Sequence, residues 1–282
     1  EIAKTYAYIE GGTVRNVFGG GWEGSVGYHE GDLDASSAND IPGKTHVVIG
    51  IRKDQATLPT GYGFLKGVPA IQRNAYGGGE GGAVYGTTNL TFNNGYIGYE
   101  HFDNVPTTHT DLPYIKDGSE ENGWDYYQEK IHDDTYSDET HPKGSPNYRL
   151  EDCGNLYGGG YDANSNVDHS KVVVYGGTIR NSVYGGGEIA TIGRGAATER
   201  ESQRTLTGIY GFGSTDVKIY NGHVLRDVYG GGKGFNLQGY GHNANKERRY
   251  TDGYVFGQTA VYIHGGEIGT LECLAEGYGN VF

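Results

Sequence analysis

One unit returns six times along this chain, and any fold must answer that periodicity first. Lys171–Gly187 reads KVVVYGGTIRNSVYGGG and Asp216–Gly232 reads DVKIYNGHVLRDVYGGG. Tyr8–Gly21 (YIEGGTVRNVFGGG) and Ala260–Ile268 (AVYIHGGEI) carry the same unit. Two interrupted copies lie between them. One joins THVVIG (Thr45–Gly50) to RNAYGGG (Arg73–Gly79), and the other joins NLTFNNGYI (Asn89–Ile97) to GNLYGGG (Gly154–Gly160). The sixth copy stops within the corner motif, at Gly279, Asn280, Val281 and Phe282. Such a repeat is one supersecondary unit that buries its apolar face only by stacking on its neighbours.

Each copy opens on alternating residues. Two positions are apolar every time: Ala7/Ile9, Val47/Ile49, Leu90/Phe92, Val172/Val174, Val217/Ile219 and Val261/Ile263. The residue between them varies (Tyr8, Val48, Thr91, Val173, Lys218, Tyr262). Period-two alternation marks a half-buried strand with one face on a core. A Gly pair then turns the chain, and a second short strand ends in an aromatic (Phe18, Tyr76, Tyr157, Tyr184, Tyr229, Phe282), followed in the first five copies by three Gly. The triplets predict a corner with at least one residue at positive φ, or a close approach between chains. Two residues ahead of each aromatic stand Asn16, Asn74, Asn155, Ser182, Asp227 and Asn280. Small polar groups at equivalent corners stack into hydrogen-bonded ladders when the corners pile up. The pattern predicts an all-β chain, a right-handed parallel β-solenoid of about six repeats with long loop insertions. The spacing, mostly 40–45 residues with one interval of 82, leaves open whether a repeat makes one coil or two.

Composition narrows the function. Gly supplies 52 of 282 residues, yet no Gly-X-Y period runs through the chain, so it is not collagen. No stretch shows a capped helix with an apolar stripe. A net charge of −13 argues against nucleic acid or an anionic membrane as partner. No apolar run reaches the ~18–20 residues of a membrane span, so the chain is not expected to be membrane-embedded. Glu1 begins neither a start-Met segment nor a signal peptide, and the last copy is incomplete. We therefore expect a piece of a longer protein whose solenoid continues into flanking repeats or makes end-to-end contacts. Two Cys cannot form a disulfide framework; Cys153 and Cys273, three repeats apart, are expected to be reduced thiols.

Residues 98–152 depart from the repeat and divide the chain into repeats 1–97, an insert 98–152 and repeats 153–282. The insert holds 4 Gly, four of the seven Pro, and 14 acidic against 4 basic side chains. Long loops on rigid scaffolds carry function. Trp124, Tyr126 and Tyr127 are candidates for stacking on a sugar ring, with Asp125, Asp133 and Asp134 bonding its hydroxyls or a cation. A solvated decoration, or a small core of the insert's own, is the other reading. Smaller loops follow other corners.

Asp162, Asn164, Asn166 and Asp168 place an oxygen side chain at every second position, the spacing with which a loop wraps Ca²⁺. Val167 and Val173 stand where a calcium loop has Gly and Glu, so the alternative is a polar turn; a structural Ca²⁺ is the candidate cofactor. No GxSxG or HExxH occurs, and Lys233 lacks the Ser/Thr of a phosphate loop. The ten His read as surface residues. Glycan hydrolysis needs two carboxylates across a groove, and the one Asp-Asp pair, Asp133-Asp134, lies off the strands.

The V-x-I-x-G-G-x-I/V…V-Y-G-G-G unit resembles the Gly-rich repeats of very large surface-exposed proteins of Bacteroidetes-type gut bacteria. The likeness covers 150–180 residues outside the insert. It implies an extracellular or cell-surface β-solenoid stalk or adhesin segment and transfers no site residue. The expectation is a non-enzymatic structural or adhesin segment with a glycan or host-surface ligand. A polysaccharide lyase or hydrolase on a β-helix and a phage fibre segment are the alternatives.

Overall fold

The structure is a computed structural model that describes residues 2–30, 37–51, 68–98, 154–162, 164–193, 195–200, 203–208, 212–236, 250–251, 253–269 and 279–282. These residues form strands and no helix. The opening strands of the six copies, Ala3–Ile9, Gly43–Ile49, Val84–Phe92, Val167–Val174, Gly213–Ile219 and Gly257–Ile263, lie side by side in chain order as one parallel sheet. A second parallel sheet takes one two-residue strand from every copy, Thr13–Val14 through Glu267–Ile268. A third takes Val17–Phe18, Ala75–Tyr76, Leu156–Tyr157, Val183–Tyr184 and Val228–Tyr229, and Val281 bridges to Val228 beyond it. Each repeat thus visits three sheets once, so one repeat makes one turn of the stack. The arrangement fits a parallel β-solenoid.

The pairing follows the repeat residue for residue. Ala7 lies beside Val47, Val47 beside Leu90, Leu90 beside Val172, Val172 beside Val217, and Val217 beside Val261. Ile9, Ile49, Phe92, Val174, Ile219 and Ile263 form the neighbouring row. Together with Ile71, Ile97, Ile179 and Val224 of the second sheet and Leu156, Val183 and Val228 of the third, these residues apart from Ile263 make one elongated core. Side chains of the middle rungs are fully buried, each contributing roughly 1.5–3 kcal/mol. On the last rung Ile263 is 42 % exposed, having a rung on one side only among the described residues. A smaller column of Val26, Val84, Val167 and Ile192 lies where the chain returns to the long-strand sheet.

The expectation of positive φ in the Gly triplets is wrong. None of the glycines in the five triplets occupies the left-handed region. The second alternative, close approach, explains them: a Cβ on Gly19, Gly77, Gly158 or Gly185 would collide with the carbonyl oxygen of the triplet stacked beside it. Positive φ belongs to the other corner, at Gly12 (79°), Gly177 (85°) and their equivalents.

A further ladder, not anticipated from the repeat, joins the first sheet to this corner. Thr5, Thr45, Thr88, Ser170 and Thr215 donate their hydroxyls to the carbonyls of Gly19, Gly77, Gly158, Gly185 and Gly230 at 2.5–2.6 Å. Gly at the triplet lets the hydroxyl reach the carbonyl, and the hydroxyl satisfies a group that packing removes from water. Two loops carry antiparallel pairs of their own, Gly195–Arg200 with Gln203–Gly208 and Phe235–Asn236 with Tyr250–Thr251. No helix of the described residues is long and apolar enough to cross a membrane.

Candidate functional site

At the corner between the second and third sheets the expected polar ladder is present. Asn16 Oδ1 accepts the backbone N–H of Asn74 at 3.2 Å, Asn74 Oδ1 that of Asn155 at 2.9 Å, and Asn155 Oδ1 that of Ser182 at 3.1 Å. Ser182 Oγ accepts from Asp227 N–H at 3.3 Å, and Asp227 Oδ1 from Asn280 N–H at 2.8 Å. Each side chain therefore holds the backbone of the next rung, a bond worth about 1 kcal/mol net.

The six aromatics before the triplets stack face to face through the length of the molecule. Phe18, Tyr76, Tyr157, Tyr184, Tyr229 and Phe282 succeed one another at centroid distances of 4.8, 4.9, 5.1, 4.8 and 4.9 Å. That is the spacing of neighbouring strands, so the rings follow the backbone stack. Residues after the triplets lie beside this column. Tyr161 meets the Tyr76 ring edge-on, and buried Glu188 accepts a short hydrogen bond from the Tyr76 hydroxyl while pairing with Lys233 at 3.4 Å. Burial first, then the Glu188 charge, raises the Tyr76 pKa well above the usual phenol value; burial likewise raises that of Tyr184, against the pull of Lys233. These groups bond one another and tie the corner together.

The outward face of the long-strand sheet is what solvent meets. In register, its first row runs Lys4, Lys44, Thr87, His169, Ser214, Gln258. The second runs Tyr6, His46, Asn89, Lys171, Asp216, Ala260, and the third Tyr8, Val48, Thr91, Val173, Lys218, Tyr262. Tyr6 stacks on His46 at 5.0 Å and parallel to Tyr8 at 6.2 Å, and both tyrosines are more than half exposed. Beyond the strand ends Tyr175, Tyr220 and His264 stack at 5.1 and 4.6 Å. Lys218 pairs with Asp216 at 2.8 Å and lies over the Tyr262 ring at 5.4 Å. Lys4, Lys44 and Lys171 have no ion-pair partner among the described residues. The pKa of His46 is lowered, by burial first and then by the charges of Lys44 and Lys4.

The residues singled out by sequence fall differently. Trp124, Asp125, Tyr126, Tyr127, Asp133 and Asp134, with Cys153 and Cys273, lie outside the described residues, as does the insert apart from Gly98. Of the calcium-spaced group, Asp162 Oδ1 accepts the N–H of Asn164 at 3.1 Å in a tight turn, and Asn166 Oδ1 accepts that of Thr191 at 3.1 Å. Asp168 is buried on the strand Val167–Val174 at a register shift. No group of three or more His, Cys, Asp or Glu among the described residues is arranged to hold a metal ion. Of the His expected at the surface, His29 is instead buried, its Nδ1 2.9 Å from Asp40 Oδ1.

Two features escaped sequence reasoning. The hydroxyl ladder was signalled by Thr or Ser two residues ahead of the first apolar position in all six copies: Thr5, Thr45, Thr88, Ser170, Thr215 and Thr259. The outward rows carried no such signal until register placed Lys4 beside Lys44. No family model matches the chain, and no curated protein or solved structure matches it either.

Proposed function

We propose that this chain is a non-enzymatic structural and adhesin segment, extracellular or displayed at a cell surface. It is read as a right-handed parallel β-solenoid, because crossovers between parallel strands of one sheet are right-handed in the great majority of folds. The observation that carries the reading is the set of unbroken ladders. At every interior rung the corner polar side chain and the aromatic ring are engaged with the neighbouring rung, and the strand hydroxyl ties the long strand to the Gly triplet of its own rung. Side chains committed in this way serve rigidity, and a rigid rod with a separate outward face suits display. The resemblance of the repeat to Gly-rich repeats of large bacterial surface proteins supports the same reading.

The ligand class is glycan, since exposed stacked tyrosines beside hydroxyl and amide side chains suit sugar rings and their hydroxyls. The insert's Trp124, Tyr126 and Tyr127, with Asp125, Asp133 and Asp134, are a second candidate contact, and Asp162, Asn164, Asn166 and Asp168 remain the candidate for a structural Ca²⁺. A glycan array probed with the 282-residue chain tests the reading. Retention of polysaccharides without release of reducing ends or unsaturated products is the expected result. Turnover of a polymer would favour the lyase or hydrolase alternative, and obligate trimers the phage fibre.

A further inference from the structure

Charge on the outward face of the long-strand sheet runs against that of the molecule. The chain carries −13, yet the three outward rows hold Lys4, Lys44, Lys171 and Lys218 against a single carboxylate, Asp216, which is taken up by Lys218. Lys4 and Lys44 stand directly opposite one another in register, a like-charge pairing that costs stability in a sheet. Burial first, and then the charges of Lys44 and Lys4, lower the pKa of His46, so the two lysines supply only the smaller part of that shift. A fold that needed only solubility could place these charges apart.

From this face we infer a binding surface for a carboxylated polysaccharide laid along the stack, with Lys4, Lys44 and Lys171 meeting carboxylates and Tyr6 and Tyr8 meeting sugar rings. The inference rests on the glycan reading above and names the class of glycan. Rungs repeat every ~4.8 Å, close to the length of one sugar unit in an extended polymer, so one carboxylate per sugar meets one rung at a time. Alternate residues on a strand are ~6.7 Å apart, so the cations from Lys4 to Lys218 trace a diagonal of roughly 23 Å across four rung steps and two rows. Asn89, Thr87 and Thr91 lie along this diagonal and offer hydrogen-bonding groups to hydroxyls. Single-stranded nucleic acid is likewise a polyanion whose bases stack on tyrosine, and the test below separates it from the carboxylated polysaccharide.

The test is calorimetric titration of the 282-residue chain with polygalacturonate, with its fully methyl-esterified form, and with single-stranded DNA of matching charge. The acid polymer is expected to bind about tenfold more tightly than the ester, and its affinity to fall with added salt. Lys4→Gln with Lys44→Gln should weaken acid-polymer binding about three- to tenfold and leave the melting temperature unchanged or slightly higher. Equal affinity for acid and ester overturns the inference while the glycan reading stands; binding of neither polymer overturns it too, and the glycan array then decides the glycan reading separately. DNA bound as tightly as polygalacturonate, or a double variant with unchanged affinity, also overturns it.

Discussion

Each coil turns on glycine twice, for two different physical reasons. At the corner after the long strand, Gly12 and Gly177 sit at φ of 79° and 85°, where a side chain is strained whatever the space around it. At the triplet corner the backbone is ordinary, but the adjoining rungs lie so close that a Cβ on Gly78 would fall 2.7 Å from the amide nitrogen of Gly160. The first demand is local to one residue. The second belongs to the stack, and it vanishes wherever no neighbouring rung presses on the position. Gly231, the middle residue of the last triplet, has no described atom within 4 Å of its would-be Cβ.

Alanine substitutions separate the two. Gly78→Ala should have the largest effect, destabilising by about 3 kcal/mol or more, because the stacked backbones must part. It also threatens the inter-rung bond from Gly78 N–H to Gly159 O at 3.0 Å. Thermal or denaturant melting measures the loss, and a shift no larger than that of Gly12→Ala would break the distinction. Gly12→Ala should cost about 1–2 kcal/mol, the left-handed penalty alone, since nothing lies within 4 Å of that Cβ. Gly12→Asn should recover part of it, Asn being the side chain that best tolerates this region. The smallest change is expected for Gly231→Ala, neutral or stabilising by up to ~1 kcal/mol through loss of unfolded-chain freedom. A large destabilisation there would show that the triplets demand Gly for conformation after all.

What sequence could reveal depended on repetition. The apolar rows and the Asn16–Asn280 ladder were legible because parallel in-register stacking sets like positions side by side, so each aligned column became a physical column. The aligned aromatics became a stack for the same reason. The Gly triplets were legible as corners but not as to cause, because a glycine serves positive φ and close approach alike. The Thr5–Thr259 column was visible and unread: a hydroxyl on the core side of a strand looks like an exception to alternation until its acceptor, one corner away, is known. Glu188 bonding Tyr76 lay beyond reach, since it joins residues 112 positions apart and has no counterpart in another copy among the described residues. The outward rows were legible only in part, because a face free of the core varies from copy to copy, and its charge emerges from register. Trp124 and its neighbours belong to a segment without repeat partners, so alignment says nothing about where they lie.

Alternation between a buried and an outward face is the central claim, and adjacent valines test it with one chemistry. Val174 is fully buried between Phe92 and Ile219, whereas Val173 faces outward between Thr91 and Lys218. They make a cleaner pair than Ile219 and Lys218, because Lys218 is tied to Asp216 and Tyr262. Val174→Asp places an unpaired charge in the apolar column and should cost several kcal/mol or prevent folding. Val173→Asp, beside the ammonium group of Lys218, should shift stability by no more than ~0.5 kcal/mol. Melting curves of the two variants against the parent chain decide the matter: a collapse at 174 with no change at 173 is the predicted result, and equal shifts, or a larger one at 173, would contradict the stack.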